Sequence, residues 1–221
     1  MTGKIKLVHS GGNSVSIAVP TSAPSASEVE FKLPKSDGSA NQVLKTDGSG
    51  NLSFAADSGG KFESYAIISD TKASNVNGGT FSSGAWRTRD LNTENADADN
   101  IVSISSNQFT LQAGTYLIKF QSTGYHVYRH ITRLRDITNS ANKGYGIMAY
   151  SNISNATSNI SPGMARVTIS GATVYEIQHA CQTTKSTNGM GLNTYIDTSG
   201  SYTDNTEPSS VFTIVEIYKE S

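Results

Sequence analysis

The most chemically crowded stretch of the 221-residue chain is Tyr125-His-Val-Tyr-Arg-His-Ile-Thr-Arg-Leu-Arg. His126 and His130 have the spacing that lets two imidazoles on one helix reach a single metal ion. The stretch reads as a strand instead, where four residues span about 13 Å, too far for one ion. No intrachain metal site is expected. One histidine from each of three chains meeting on an axis remains open, and a satisfied interface histidine is the plainer reading. Strand alternation sets Tyr125, Val127, Arg129, Ile131, Arg133 and Arg135 on one face, and His126, Tyr128, His130, Thr132 and Leu134 on the other. Two mixed faces suit a subunit interface of hydrogen bonds and ion pairs, the favoured reading, or a sugar-binding groove in which tyrosine stacks and arginine donates.

Gln178, His179, Cys181 and Gln182 form a second cluster. A Cys and a His this close invite a nucleophile reading, but the pair sits in a strand pattern with no strand-to-helix elbow and no oxyanion loop. Packing is the better account. The candidate interface residues are therefore Tyr125, Tyr128, Arg129, His130, Arg133 and His179.

Asp90, Glu94, Asp97 and Asp99 offer oxygen ligands for calcium, yet their run lacks the central Gly and closing Glu of an EF-hand loop. It reads as a solvated loop. Gly144-Tyr-Gly-Ile-Met-Ala fits a dinucleotide fingerprint on paper, but no helix follows to receive a pyrophosphate. Asn152, Asn155 and Asn159 each begin a glycosylation sequon, which without a secretory signal marks only a polar loop. No catalytic residue, metal ligand or cofactor is expected.

The elements that must position these groups are unevenly distributed. Of the eighteen Phe, Trp and Tyr residues, only Phe31 and Phe54 precede Lys61. Residues 1–60 thus lack the large side chains that offset chain entropy, whereas residues 61–221 carry enough for a core. Seventeen Lys and Arg nearly balance eighteen Asp and Glu, with no run of like charge, so a grip on nucleic acid or an anionic membrane is not expected. No apolar stretch reaches signal-peptide or membrane-spanning length. A soluble chain without a Sec signal is expected. The single Cys181 excludes an internal disulfide and fits folding in a reducing cytoplasm.

Residues 1–60 are rich in Ser, Gly, Asn and Ala, with strand-like runs at Ile5 to Val8, Val15 to Val19 and Val29 to Leu33. Asp37-Gly38 and Asp47-Gly48 supply tight-turn chemistry in a short repeat, flanked by lone apolar residues Val43, Leu44, Leu52 and Phe54. So few apolar residues cannot close a monomeric core; three copies packed about an axis can.

Beyond Phe62 the spacing predicts strands at Ser64 to Ser69, Trp86 to Leu91, Ile101 to Ile104, Gln108 to Leu111, Gly114 to Ser122, Tyr125 to Asn139, Gly146 to Ser151, Met164 to Ser170, Ala172 to Gln182, Gly191 to Asp197 and Val211 to Lys219. No helix is expected. The fold class is all-β, an antiparallel jelly-roll sandwich preceded by an extended, turn-rich stalk or anchor.

The segment Lys32-Leu-Pro-Lys-Ser-Asp-Gly-Ser-Ala-Asn-Gln-Val-Leu-Lys-Thr-Asp-Gly-Ser-Gly-Asn-Leu-Ser-Phe resembles an element that recurs in fibre and appendage proteins of tailed bacteriophages. Four ordered blocks, Phe109 to Ile118, Arg129 to Thr138, Tyr175 to Thr184 and Val215 to Glu220, resemble a knob domain at the carboxy end of phage tail fibres. Its plan is similar to the TNF and C1q jelly rolls, in which three sandwiches pack about a three-fold axis. The resemblance implies a homotrimeric, non-enzymatic virion protein, assembled in the host cytoplasm and displayed on the virion surface.

On this reading residues 1–60 bind other virion proteins and the knob attaches to host surface glycan or protein. Capsid decoration, or cement, and a head fibre stay open as alternatives. A glycan depolymerase is a further alternative, which needs a carboxylate pair in a groove. Loop composition nominates Asn92 to Asn100, Asn152 to Ser161 and Thr198 to Pro208 as ligand-facing surface, with Asn95, Asp97, Asn155 and Tyr202 as candidate contacts.

Overall fold

A computed structural model describes residues 4–18, 20–24, 26, 28–57, 60–193 and 209–220. Internal contacts divide the chain into residues 1–57 and 58–221.

In the first unit, β1 (Lys4–Val8) and β2 (Ser14–Ala18) form one antiparallel hairpin, and β3 (Gln42–Thr46) and β4 (Leu52–Ala56) form another. Asp47 builds the second turn. Its carboxylate accepts the backbone N–H of Ser49 at 2.8 Å and of Asn51 at 3.1 Å, and the Asn51 side-chain amide at 2.6 Å. Those bonds hold the carboxyl below the usual range. Gly50 has φ of 88°, and a Cβ there would lie 2.6 Å from the Glu30 carbonyl, so no other residue fits. The expected strand at Val29 to Leu33 supplies only an isolated bridge, Lys32 to Asn51. β3 and β4, by contrast, grow from residues that the sequence marks only as turn flanks.

The second unit holds β5 (Phe62–Lys72), β6 (Arg87–Thr88), β7 (Thr93–Ala96), β8 (Val102–Ser105), β9 (Gln108–Leu111), β10 (Gly114–Tyr125), β11 (Tyr128–Asp136), β12 (Ala141–Tyr145), β13 (Ala149–Ser151), β14 (Ser158–Ile169), β15 (Thr173–Cys181) and β16 (Ser210–Glu220). One sheet has the order β14-β10-β16-β5-β7; the other has β12-β11-β15-β9-β8, with β13 on β11 and β6 on β15. All pairings are antiparallel. From β9 to β10, β10 to β11, β14 to β15 and β15 to β16 the chain crosses between sheets, which makes this an all-β jelly roll, as expected.

The core lies between the sheets. Ile68, Ile118, Phe120, Val167, Val215 and Ile217 of the first sheet meet Phe109, Leu111, Leu134, Tyr175 and Ile177 of the second. At about 25 cal/mol per Å² of apolar area, such interdigitation is the main stabilising term.

The expected strand Tyr125 to Asn139 is interrupted. His126 and Tyr128 both have φ of 58°, and these left-handed residues turn the chain out of β10 and into the opposite sheet as β11. Trp86 to Leu91 contracts to β6, and Gly146 to Ser151 to β13. β7 and β12 arise from polar runs that carry no Val or Ile. Of the expected strand Gly191 to Asp197, residues 191–193 are not a strand and the rest lie outside the described residues. No helix among the described residues is long and apolar enough to cross a membrane.

Candidate functional site

Three regions of the second unit gather functional side chains: a polar cluster inside the sandwich, and the two outer sheet faces.

Inside, His130 on β11 and His179 on β15 are fully buried, with Nδ1 of His130 2.9 Å from Nε2 of His179. Phe81 packs on His179 with ring centroids 4.6 Å apart. The fully buried Arg89 lies nearby. Its Nε donates to Thr213 Oγ1 at 2.8 Å, and its terminal nitrogens donate to the carbonyls of Met190 at 2.7 Å, Phe212 at 3.2 Å and Thr123 at 3.3 Å. Burial and then the Arg89 charge push His130 down to about 4, and His179 well below its ordinary value. These are neutral core groups.

This overturns the expectation that His130 and His179 line a subunit interface, and removes them from any axial metal site. The inward face of β11, His130, Thr132, Leu134 and Asp136, is the buried one despite its polar residues. Tyr125 is likewise withdrawn: it is 9% exposed, and its backbone N–H donates to Gly189 O at 2.9 Å. Of the six candidates, only Tyr128, Arg129 and Arg133 keep appreciable surface.

Arg129 and Arg133 sit on the outer face of the second sheet, and Tyr128 keeps surface at the start of β11. Arg129 pairs across β11 and β13 with Tyr150, whose ring stacks on Tyr128 at 5.7 Å, and its Nη1 donates to Gln182 Oε1 at 3.2 Å. Arg133 pairs with Tyr145 on one side and Gln178 on the other; its Nε donates to Gln178 Oε1 at 2.7 Å, and its guanidinium lies 3.9 Å over the Trp86 ring. Arg135 donates to Asn142 Oδ1 at 3.1 Å. The face is polar, cationic and internally bonded.

The outer face of the first sheet is different. Its cross-strand rows read Arg166, Leu117, Tyr218, Tyr65; then Met164, Lys119, Glu216, Ile67; then Pro162, Gln121, Ile214. Tyr65 is 55% exposed and Met164 63%. Lys119 and Glu216 pair at 2.9 Å in the middle, and a shallow cavity of about 350 Å³ opens beside them between Met164, Ile214 and Ile147. Sequence reasoning missed this face, because its residues come from four strands distant in sequence. The period-2 alternation of each strand was the available signal.

Among the loop candidates, Asp97 is committed to structure: its two carboxylate oxygens accept the backbone N–H groups of Ile101 at 2.8 Å and Val102 at 2.9 Å. That corrects its assignment as a ligand contact. Asn95 is exposed but on β7, not a loop, with its carbonyl taken by Ser69 Oγ at 2.7 Å. Asn155 is exposed in a turn organised by Asn152. Tyr202 and the loop Thr198 to Pro208 lie outside the described residues.

The acidic run does not converge on a point. Asp90 binds Lys72 at 2.6 Å, Asp97 caps its own loop, and Asp99 accepts from Ser64 Oγ at 2.6 Å. Burial raises the Cys181 thiol to about 11, so it carries no thiolate at neutral pH. Gly144-Tyr-Gly-Ile-Met-Ala ends β12 and enters β13, and Gly146 bridges to Gly163 where two edges approach closely.

No family model and no curated protein sequence matches the chain. Among solved structures, the globular domain of zebrafish complement 1qA protein is similar at 13% identity, with a TM-score of 0.39 over 70% of this chain and 95% of that one. Murine APRIL at pH 8.0 is similar at 7% identity, with a TM-score of 0.43 over 71% of this chain and 98% of the other. The jelly-roll assignment itself rests on the strand order described above.

Proposed function

We propose that this chain is a non-catalytic, homotrimeric virion appendage of a tailed phage, with residues 1–57 joining it to other virion proteins and the jelly-roll knob attaching to the host surface. The observation that carries the reading is apolar surface without an internal partner. In the first unit Ile5, Leu7, Val8, Ile17, Val29, Phe31, Leu33, Leu44 and Phe54 are all exposed, from 38% at Phe54 to 78% at Leu33. In the knob, the outer face carrying Tyr65, Leu117, Met164, Ile214 and Tyr218 adds a broad, mostly apolar patch. Patches of this kind mark association surfaces. Three copies packed through them convert both into buried core, and they multiply weak single-site contacts by avidity.

The resemblance of residues 32–54 to phage appendage elements supports the virion assignment. The self-association surface thus belongs to the apolar sheet and not to the arginine-bearing face of β11. The test is competition: purified full-length protein, added to host cells ahead of phage, is expected to reduce adsorption. Unchanged adsorption, together with virions that fall apart when residues 1–57 are deleted, contradicts attachment and favours a cement.

A further inference from the structure

Strand β11 carries two arginines four residues apart on its outer face, each bonded to a glutamine of β15 or just beyond it. Arg129 lies between Tyr150 and Gln182; four residues on, Arg133 lies between the Trp86 ring and Gln178. Four residues of strand span about 13 Å, and Ile131 and Ala180 form a low, half-buried floor between the two rows.

Both guanidiniums are held in place. Gln178 Oε1 fixes Arg133 Nε while the Trp86 face supports its plane, and Gln182 Oε1 fixes one terminal nitrogen of Arg129. The terminal nitrogens of Arg133, and Nε and Nη2 of Arg129, bond no described residue. A stacked guanidinium with its N–H edge free is the geometry that takes a carboxylate or sulfate bidentately.

Charge on the face agrees. Its one acid among the described residues, Glu176, is buried and already accepts from Gln108 Nε2 at 3.1 Å and from Gln178. Glu176 stands opposite Arg135 in the β11–β15 register, so Arg129 and Arg133 are the arginines of the face with no carboxylate opposite them among the described residues. Two rows at this separation suit an extended polymer that carries anions at intervals and presents a flat C–H face to the exposed Tyr150 ring. A duplex nucleic acid draws on a broader cationic surface than one line of three arginines.

We propose that this face of the β11 sheet binds an acidic polysaccharide, the ligand class of the attachment reading on which the inference rests. The two arginines lie on the sheet opposite the apolar rows, and the two regions meet only at the edge marked by Tyr145, so a trimer built through the apolar rows leaves both guanidiniums free to act in triplicate.

The experiment is titration of the full-length protein with polygalacturonic acid, dextran sulfate, neutral dextran and a 20-base-pair DNA duplex. Binding to one or both acidic polymers and not to neutral dextran is expected, the responding polymer identifying the anion as carboxylate or sulfate. Arg129→Gln and Arg133→Gln should each weaken binding about tenfold, as loss of one charge-assisted pair does, with trimer mass unchanged. Tyr150→Ala, a substitution of an exposed ring, should also weaken it. Failure to bind either acidic polymer, equal binding by the Arg129→Gln/Arg133→Gln double variant, or equal affinity for DNA overturns the proposal. Adhesion of labelled protein to host cells without polysaccharide binding overturns it alone; polysaccharide binding without cell adhesion overturns the attachment reading instead.

Discussion

Nδ1 of His130 and Nε2 of His179 are hydrogen-bonded ring to ring, 2.9 Å apart, in the interior of the jelly roll. One nitrogen donates and the other accepts, so the contact holds a single proton. His130 Nε2 and His179 Nδ1 have no partner among the described residues, and a second proton would place an unpaired cation beside Arg89.

The pair makes the fold acid-sensitive. Both imidazoles are neutral in the folded chain, whereas in the unfolded chain they protonate near the ordinary value of 6.5. Between that value and about 4 the unfolded chain binds more protons, so stability falls as pH falls through this window and is fully present above it. For His130 alone the difference corresponds to about 3 kcal/mol. Urea midpoints at pH 7 and pH 4.5 check this: a lower midpoint at pH 4.5 is expected, with a shallower pH dependence in His130→Gln.

Arg89→Leu should cost about 2 to 4 kcal/mol, because it removes the charged donor from the buried Phe212 and Thr123 carbonyls, while the Met190 carbonyl keeps Thr123 Oγ1 and the Thr213 hydroxyl keeps Ser122 Oγ. For a chain of this size that is a fall in Tm on the order of 10 °C by calorimetry. Arg89→Lys keeps the charge but not the planar fork, and should recover only part of the loss.

Gly146 is expected to tolerate no side chain. A Cβ there collides with Thr132 Oγ1 and comes within 2.8 Å of Ser161 Oγ, and Thr132 and Ser161 are tied by bonds of 3.0 to 3.1 Å. Gly146→Ala should destabilise by about 1 to 3 kcal/mol in denaturant unfolding.

On the apolar face, Tyr65→Glu and Met164→Glu place charges where subunits are proposed to meet, at positions exposed in the single chain. Each should yield monomers in size-exclusion chromatography with an unchanged far-UV spectrum, since exposed substitutions barely alter protomer stability.

The strand ladder of the knob was legible because polar and apolar residues alternate from Gln108 to Leu111, and β-branched and aromatic residues crowd the run from Val211 to Lys219. The Asp47-Gly48 turn was legible from its side-chain chemistry. The break at His126 was not, because two non-glycine residues take the left-handed conformation there. Nor was the burial of His130 and His179. Alternation sorts β11 into two faces without saying which one faces the core, and the partners of its buried His130 and Thr132, His179 and Ser161, are remote in sequence. The Arg129 and Arg133 rows were half legible: tyrosine stacking and arginine donation follow from residue type, but Trp86 and the glutamines of β15 join them only through the sheet.

Self-association is read most directly by multi-angle light scattering of the full-length protein. The prediction is one species at three times the 23.4 kDa chain mass, stable on dilution. A species at the chain mass, with the apolar sheet face left in water, would contradict it.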